Sequence, residues 1–358
     1  MKAAVCHESG KPLVIEEVEL DPPRKRQVRV RLAAVSTCYC DLHMIRGHWG
    51  RPLPMVAGHE AAGVVEEVGE DVTELNPGVP VVVSAIRSCG KCLDCVAGRP
   101  HLCARQSFAA DENGLRTRQG APLYRGAQTA AFAEQVVVDE SQVVRIPEEM
   151  PLDRAALLGC TVITGVGAVV NTARVRPGNR VVVIGAGAIG LNAIQGAALV
   201  GAHPIIAVDL DDDRLTLARS FGATDTLNPG PVAAAETVAQ LTAGGADYVF
   251  VTLGKPEAIE LGLSMLGRRG TEVVVGFAIG LKSASFPINA LVVGEKRVIG
   301  SSMGSTRLSA GVPWLADLYL RGGLKIDELI SGRYPLEKIN DALDALEGGV
   351  ALRNVVQL

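Results

Sequence analysis

The spacing of apolar and polar positions divides the chain into two kinds of sequence. From residue 1 to about 85 the apolar runs are short, with a period near two. Gln27–Leu32 alternates cleanly and Leu13–Val18 partly. Gly63–Val68 and Val79–Val83 read as further strands, with the turn signal Asn76-Pro77-Gly78 between them. This pattern predicts an antiparallel, turn-rich β segment. Strand character returns at Phe132–Val138 and Gln142–Ile146. Residues 104–131 are polar, and Asp111–Gly114 and Gln119–Pro122 read as loop. A loop of that length in a compact domain is usually functional or a subunit contact. From about 163 to 299 the rhythm changes. Strands expected at Val181–Ile184, Ile205–Val208, Tyr248–Thr252 and Glu272–Gly276 are separated by helical stretches such as Asp212–Ser220 and Ala258–Leu266. That alternation predicts an α/β fold with a doubly wound parallel sheet. After about 300 the chain turns polar again. The expected plan is a β-rich domain built from 1–162 and 300–358, a nucleotide domain of 163–299 inserted between them, and a ligand cleft where they meet.

The inserted region carries the most telling local motif. Arg180-Val-Val-Val-Ile184 runs into Gly185-Ala-Gly187-Ala-Ile-Gly190, then into an Ala-rich helical pattern through Leu199 that Gly201 can stop. Gly185 permits the tight turn, Gly187 lets backbone approach a pyrophosphate, and Gly190 lets helix and strand pack closely. The helix N-terminus offers N–H groups and partial positive charge to phosphate. The next strand ends in Asp209, about twenty residues past the turn, where an acid can bond both ribose hydroxyls of NAD and repel a 2′-phosphate.

Composition narrows the classes. The 358 residues suggest two domains, and 48% hydrophobic against 21% charged supports a large core rather than disorder. A net charge of −4 without a basic block gives no reason to expect nucleic acid or an anionic membrane as partner. No apolar run reaches the ~18 residues of a membrane span. Met1–Cys6 lacks the basic and long apolar regions of a signal peptide, so a cytoplasmic location is expected. In such a compartment the eight Cys are poorly explained as disulfides. Cys89, Cys92, Cys95 and Cys103 follow C-x2-C-x2-C-x7-C, a spacing that can close a tetrahedron around Zn²⁺. Such a closed shell holds a loop and does no chemistry. Cys38, His59 and Cys160 are dispersed, and spacing alone does not group them; singly, each reads as a core residue.

Taken in order, Cys38-x-x-Asp41-Leu-His43, Gly58-His59-Glu60-x-x-Gly63, the four-Cys lobe, Gly159-Cys160-x-x-x-Thr164-Gly165 and the Gly185–Gly190 turn resemble the zinc-dependent medium-chain alcohol dehydrogenases over nearly the whole chain. The long 104–131 segment is similar to the dimeric branch, which includes thiol-dependent formaldehyde dehydrogenases. The resemblance implies a GroES-like β-rich catalytic domain beside a Rossmann NAD-binding domain, with two Zn²⁺ per chain. It implies Cys38, His59 and Cys160 as catalytic zinc ligands, the Cys₂His set by which alcohol dehydrogenases hold a catalytic zinc. It implies Glu60 as an acid behind the zinc, Asp41 as the carboxylate orienting the ligand His, and His43 as the acceptor of the alcohol proton. For Glu60 and Asp41 an ordinary buried ion pair or cap remains the alternative. Arg353 would meet the pyrophosphate and Arg214 the adenosine ribose, each with a solvated surface charge as the alternative. Trp49 and Ala85 would line the substrate channel.

Two positions depart from the family pattern. Cys40 stands where Ser or Thr usually passes the proton, and a thiol is the poorer hydrogen-bonding group. It could relay slowly, compete for the metal, mark a reaction that needs no relay, or be a tolerated near-isostere. Tyr39 replaces a basic residue expected near the pyrophosphate. The reading is an NAD-dependent oxidoreductase that interconverts an alcohol with an aldehyde or ketone, acting as a homodimer with a tetramer as the alternative. Rivals are a C=C or C=N reductase, a thiol-adduct formaldehyde dehydrogenase, and a non-catalytic zinc-binding redox sensor.

Overall fold

The strict alternation at Gln27–Leu32 has a direct structural consequence. In the computed structural model, which describes residues 1–104, 114–228 and 234–358, it forms part of a strand Gln27–Ser36 with Val28, Val30 and Leu32 buried on one face. The chain divides into two compact units, Met1–Cys160 with Arg307–Leu358, and Thr161–Thr306.

In the first unit, Gln27–Ser36 lies at the middle of a seven-stranded sheet. Across it run Val143–Arg145, Pro80–Ser84, Glu60–Val68, Gln27–Ser36, Arg353–Gln357 and Ile330–Pro335, and Gln135–Asp139 also pairs with Gln27–Ser36. The pairings are antiparallel except the last on the path, Ile330–Pro335 with Arg353–Gln357. Val355 opposite Ser36 returns the C-terminal end of the chain to the N-terminal strands. A second sheet of five strands runs Leu115–Thr117, Val14–Leu20, Lys2–Cys6, Met55–Val56, Tyr124–Arg125. The polar stretch read as one long loop thus contributes two short edge strands. The expected loop at Asp111–Gly114 lies, up to residue 113, outside the described residues. The C-terminal stretch also differs from expectation. Leu308–Leu320 is a helix that buries Leu308, Val312, Leu315 and Ala316, and Ile339–Glu347 is a second helix.

In the second unit the strands run Asp225–Leu227, Ile205–Val208, Val181–Ile184, Ala246–Val251, Leu266–Val274, Arg297–Gly300 across one sheet, all parallel. That order reverses at Val181–Ile184, the doubly wound arrangement with its switch point at the carboxyl end of that strand. All four residues of Val181–Ile184 and of Ile205–Val208 are buried, as strands covered on both faces must be. The units meet at 160/161 and 306/307 rather than at 162/163 and 299/300. The reason lies in the turn after the last strand. Asn171 Nδ2 donates to the Gly304 carbonyl at 3.0 Å and Thr306 Oγ1 to that of Ile163 at 3.3 Å, so the chain to Thr306 stays with the second unit. Among the described residues no single helix is long and apolar enough to cross a membrane.

One polar group in this sheet works against stability. Glu272 is fully buried on Leu266–Val274, and neither carboxylate oxygen has a hydrogen-bond partner among the described residues. Nearby, Lys296 Nζ is bonded to the Leu263 carbonyl, at 3.3 Å. Burial pushes the Glu272 carboxyl up to about 7. Because the folded-state value lies above the unfolded one, ionisation opposes folding increasingly between about pH 4.5 and 7, and fully above that, by about 3 kcal/mol. Glu272→Met should therefore stabilise the protein by about that amount at pH 8 and by about 1 kcal/mol or less at pH 5. Denaturant unfolding at the two pH values checks this, and an equal gain at both would remove the charge as the cause.

Candidate active site

Cys38 ends the extended backbone after Gln27–Ser36 and serves as N-cap of a short helix, Tyr39–Ile45. The third helical residue is Asp41, and its fully buried carboxylate organises the surrounding chain. Oδ2 accepts from the Cys38 backbone N–H at 3.2 Å. Oδ1 accepts from the Gly58 N–H at 3.0 Å and from His59 Nδ1 at 2.9 Å. Gly58 sits at φ +92, and a Cβ there would meet the Phe132 backbone nitrogen at 2.6 Å, so only glycine brings the chain this close to Phe132. With Nδ1 donating to Asp41, His59 presents Nε2 to its other neighbours. Cys160 follows Gly159, whose carbonyl accepts from Ser84 Oγ at 2.6 Å, and a Cβ on Gly159 would strike the Val83 carbonyl at 2.7 Å.

These local devices bring three residues from distant parts of the chain together. One donor atom each from Cys38, His59 and Cys160 lies within 4.8 Å of the others, and all three side chains are buried. Hydrogen bonds from Cys160 and Cys40, and the nearby Arg353 guanidinium, hold the Cys38 thiol well below its ordinary range. The same sharing, with burial, pushes Cys160 and Cys40 up. Burial works to lower the His59 value, but the Asp41 charge and hydrogen bond prevail and raise it. Two sulfurs and an imidazole, buried and in competition for protons, are a donor set that a thiophilic divalent cation satisfies. Zinc fits, and three protein ligands leave a fourth position open.

Behind this group Arg353 and Glu60 are both buried, with Nε 3.8 Å from Oε2, and Arg353 Nη2 lies 3.6 Å from Cys38 Sγ. The Arg353 side chain is therefore no solvated surface charge. The Tyr39 hydroxyl donates to the Leu346 carbonyl at 2.8 Å, on the C-terminal helix. His43 is half-buried, with the Trp49 ring 5.8 Å away and the His48 ring 5.5 Å away. Burial lowers its proton affinity, as does the charge of His48. Ala85 is half-buried at the residue after Pro80–Ser84. His48 was not singled out from the sequence. The signal that could have found it is Gly47, a helix-stopping residue that folds the next side chain back over the last turn.

A second group, Cys89, Cys92, Cys95 and Cys103, also keeps its donor atoms within 4.8 Å of one another. Cys92 caps the Leu93–Val96 helix. The Cys92 N–H donates to Cys89 Sγ and the Cys89 N–H to Cys103 Sγ, both at 3.3 Å. Backbone N–H donation brings the Cys92 thiol to about 6, and burial pushes Cys95 up to about 11. Four sulfurs held this way suit a closed tetrahedral site.

In the second unit the glycine turn has the geometry its spacing implies. Gly185 has φ +94, and a Cβ on Gly190 would lie 1.7 Å from the Gly185 carbonyl oxygen. Gly187 has open space where its Cβ would stand, the room a pyrophosphate needs. Asp209 is tied to the turn, its Oδ2 accepting from the Ala186 N–H at 2.6 Å and its Oδ1 from the Asp211 N–H at 3.1 Å. Asp211, not Asp209, is the N-cap of Asp212–Ser220, on which Arg214 lies 3.7 Å from Asp211.

Comparison with known proteins decides the family. The profile of the alcohol dehydrogenase GroES-like domain matches residues 24–148, and that of the zinc-binding dehydrogenases matches 188–318. The alcohol dehydrogenase class-3 of Pisum sativum is 37% identical over 368 residues, spanning 99% of this chain and 97% of that one. The chain belongs to the zinc-dependent medium-chain alcohol dehydrogenase family. Among solved structures, an alcohol dehydrogenase zinc-binding domain protein from Burkholderia ambifaria superposes with a TM-score of 0.96 at 35% identity, covering 100% of this chain and 98% of that one. The benzyl alcohol dehydrogenase of Acinetobacter calcoaceticus gives 0.94 at 31%, covering 100% and 99%. This enzyme is an NAD-dependent zinc alcohol dehydrogenase, an oxidoreductase that moves a hydride between an alcohol and the cofactor.

Proposed function

We propose that the enzyme oxidises free alcohols to aldehydes or ketones at the Cys38–His59–Cys160 group, and that a second zinc is held by Cys89, Cys92, Cys95 and Cys103. The observation that carries this reading is the mutual approach, within 4.8 Å, of three buried donors from distant parts of the chain, with Asp41 fixing the imidazole. When bound, zinc would supply a Lewis acid for the alcohol oxygen and NAD a hydride acceptor. The chain's own residues do the rest. Asp41 holds His59 by Nδ1 so that Nε2 is the ligand atom. Arg353 neutralises the buried Glu60 carboxylate and stabilises the Cys38 thiolate. His43 takes up the proton that leaves the alcohol, at Nε2. Trp49 and Ala85 face the substrate, and Gly187 leaves room for the pyrophosphate. Asp209 selects NAD over NADP, and Arg214 lies beside the ribose.

A panel of alcohols, S-hydroxymethyl thiols and conjugated enals, each with NAD(H) and NADP(H), tests the reading by absorbance. Turnover of free alcohols with NAD is expected. Turnover confined to the thiol adducts, or to the enal C=C bond, would replace it, and a preference for NADP would remove Asp209 from its role.

Pairing of two copies is the proposed assembly. Arg297–Gly300 is an edge strand among the described residues, and the Ile288–Gly294 helix that precedes it in the chain exposes Ile288, Val292 and Val293, an apolar face available to a partner. Sedimentation should give a dimer, and a monomer at micromolar concentration would refute it.

A further inference from the structure

The Tyr39–Ile45 helix ends in an unusual way for a residue pair so near reactive chemistry. Arg46 is its C-cap and Gly47 follows at φ +75. The Gly47 N–H donates to the Met44 carbonyl at 3.0 Å and the His48 N–H to the His43 carbonyl at 2.9 Å. These are the two bonds of a Schellman motif, which brings the second residue past the cap against the third residue before it. Two apolar side chains usually meet there. Here both are imidazoles. His43 Nδ1 and His48 Nδ1 are 3.3 Å apart, with the rings tilted by 48°. A contact between two ring nitrogens requires one to donate and the other to accept, so the pair shares a proton at this point.

The surroundings give that contact a direction. His43 is half-buried with Trp49 against its ring, whereas His48 is exposed. Its Nδ1 engaged with His48, His43 has Nε2 left for the site. We propose that His48 is the outer end of the enzyme's proton path, a positioning residue that holds His43 by Nδ1 and carries its proton to solvent. This rests on the reading of His43 as acceptor of the alcohol proton. The balance closes with one proton. His43 begins as the Nδ1–H tautomer, donating to a neutral His48 that carries its proton on Nε2. A proton arriving at His43 Nε2 is matched by transfer of the Nδ1 proton to His48 Nδ1. His48 then releases its Nε2 proton to water, which leaves the opposite tautomers, His43 Nε2–H and His48 Nδ1–H, and proton exchange of both rings with water restores the first pair before the next turnover. Two positive charges at 3.3 Å are disfavoured, so the pair holds at most one extra proton and titrates as a unit. The groups that face His43 are the Cys38 sulfur, from the start of its helix, and His48. The Ile339–Glu347 helix packed on the same helix directs Glu347 and Asp344 at Arg46 instead.

His48→Phe keeps a ring and the backbone turn but cannot carry a proton. Imidazole nitrogen NMR of the whole enzyme without substrate is the first readout. In the wild type, the His43 and His48 titrations should be linked. In His48→Phe, His43 should titrate singly, at a higher pH, with its Nδ1–H preference lost. Steady-state kinetics are the second readout. His48→Phe should lose roughly tenfold in kcat at low buffer concentration, distort the pH profile, and recover on addition of imidazole, to which the wild type is insensitive. An unchanged His43 titration together with buffer-independent turnover would reduce His48 to a helix cap and overturn the proposal. His43→Gln separates the two layers. If it leaves the pH profile intact, the role of His43 itself fails, and the path with it. If it alters the profile while His48→Phe does not, only the extension through His48 fails.

Discussion

Alanine at His59 is expected to lower NAD-dependent alcohol oxidation by at least ~10³-fold, the worth of several kcal/mol of metal-assisted stabilisation. The imidazole is one of three donors within 4.8 Å, and its Nδ1 is the 2.9 Å partner of the fully buried Asp41. Its removal deletes a proposed ligand and leaves a buried carboxylate short of one donor, a change that itself costs on the order of 1–3 kcal/mol. If each chain holds the two zinc ions proposed, metal analysis of this variant should find one. Cys103→Ser provides the matching control. It should also drop the count to one, but from the four-sulfur lobe, and should lower thermal stability more than it lowers kcat/KM. Full zinc retention and near-normal turnover in His59→Ala would place the reaction elsewhere in the chain.

The two halves of this enzyme were not equally legible in its sequence. The nucleotide unit was, because its signals are local. Strand, glycine turn, helix and acid fall within about thirty residues of one another, and Val181–Ile184 and Ile205–Val208 have the limits their apolar runs suggest. The four-Cys lobe was legible for the same reason. Cys38, His59 and Cys160 were grouped only through family resemblance, because what joins them is tertiary. One carboxylate grips the cap of a short helix, Gly58 and His59 at once, and a glycine is wedged against the Val83 carbonyl. The Leu308–Leu320 helix was hidden by Pro313, Gly311 and polar flanks, although its buried residues recur at helical spacing. Glu272 read as an unremarkable strand residue. Nothing in its neighbours along the chain signals that both faces of that strand are covered and that neither carboxylate oxygen finds a hydrogen-bond partner among the described residues.

Substitutions at two glycines three positions apart should separate fold from cofactor affinity. Gly190 and Gly187 belong to the same turn, yet a side chain meets opposite circumstances at each. At Gly190 a Cβ would stand 1.7 Å from the Gly185 carbonyl oxygen, a backbone atom that cannot swing aside. The helix Ala188–Leu199 would have to lift from Val181–Ile184, both of which are buried almost throughout. Overpacking of that kind typically costs 1–3 kcal/mol and more where backbone must move, so Gly190→Ala is expected to destabilise the second unit and abolish NAD binding together. At Gly187 a Cβ meets nothing within 4 Å, and the backbone at φ −73 and ψ −175 suits alanine. Gly187→Ala should therefore melt at or slightly above the wild-type temperature. The space it fills is the one proposed for a pyrophosphate, so its NAD affinity should fall by roughly ten- to a hundredfold, the equivalent of a clash of about 1–3 kcal/mol. Calorimetric melting and fluorescence titration with NADH measure the two effects separately. Equal loss of stability in both variants would mean that the turn is set by local backbone preference alone, and unchanged affinity in Gly187→Ala would move the phosphates off this turn.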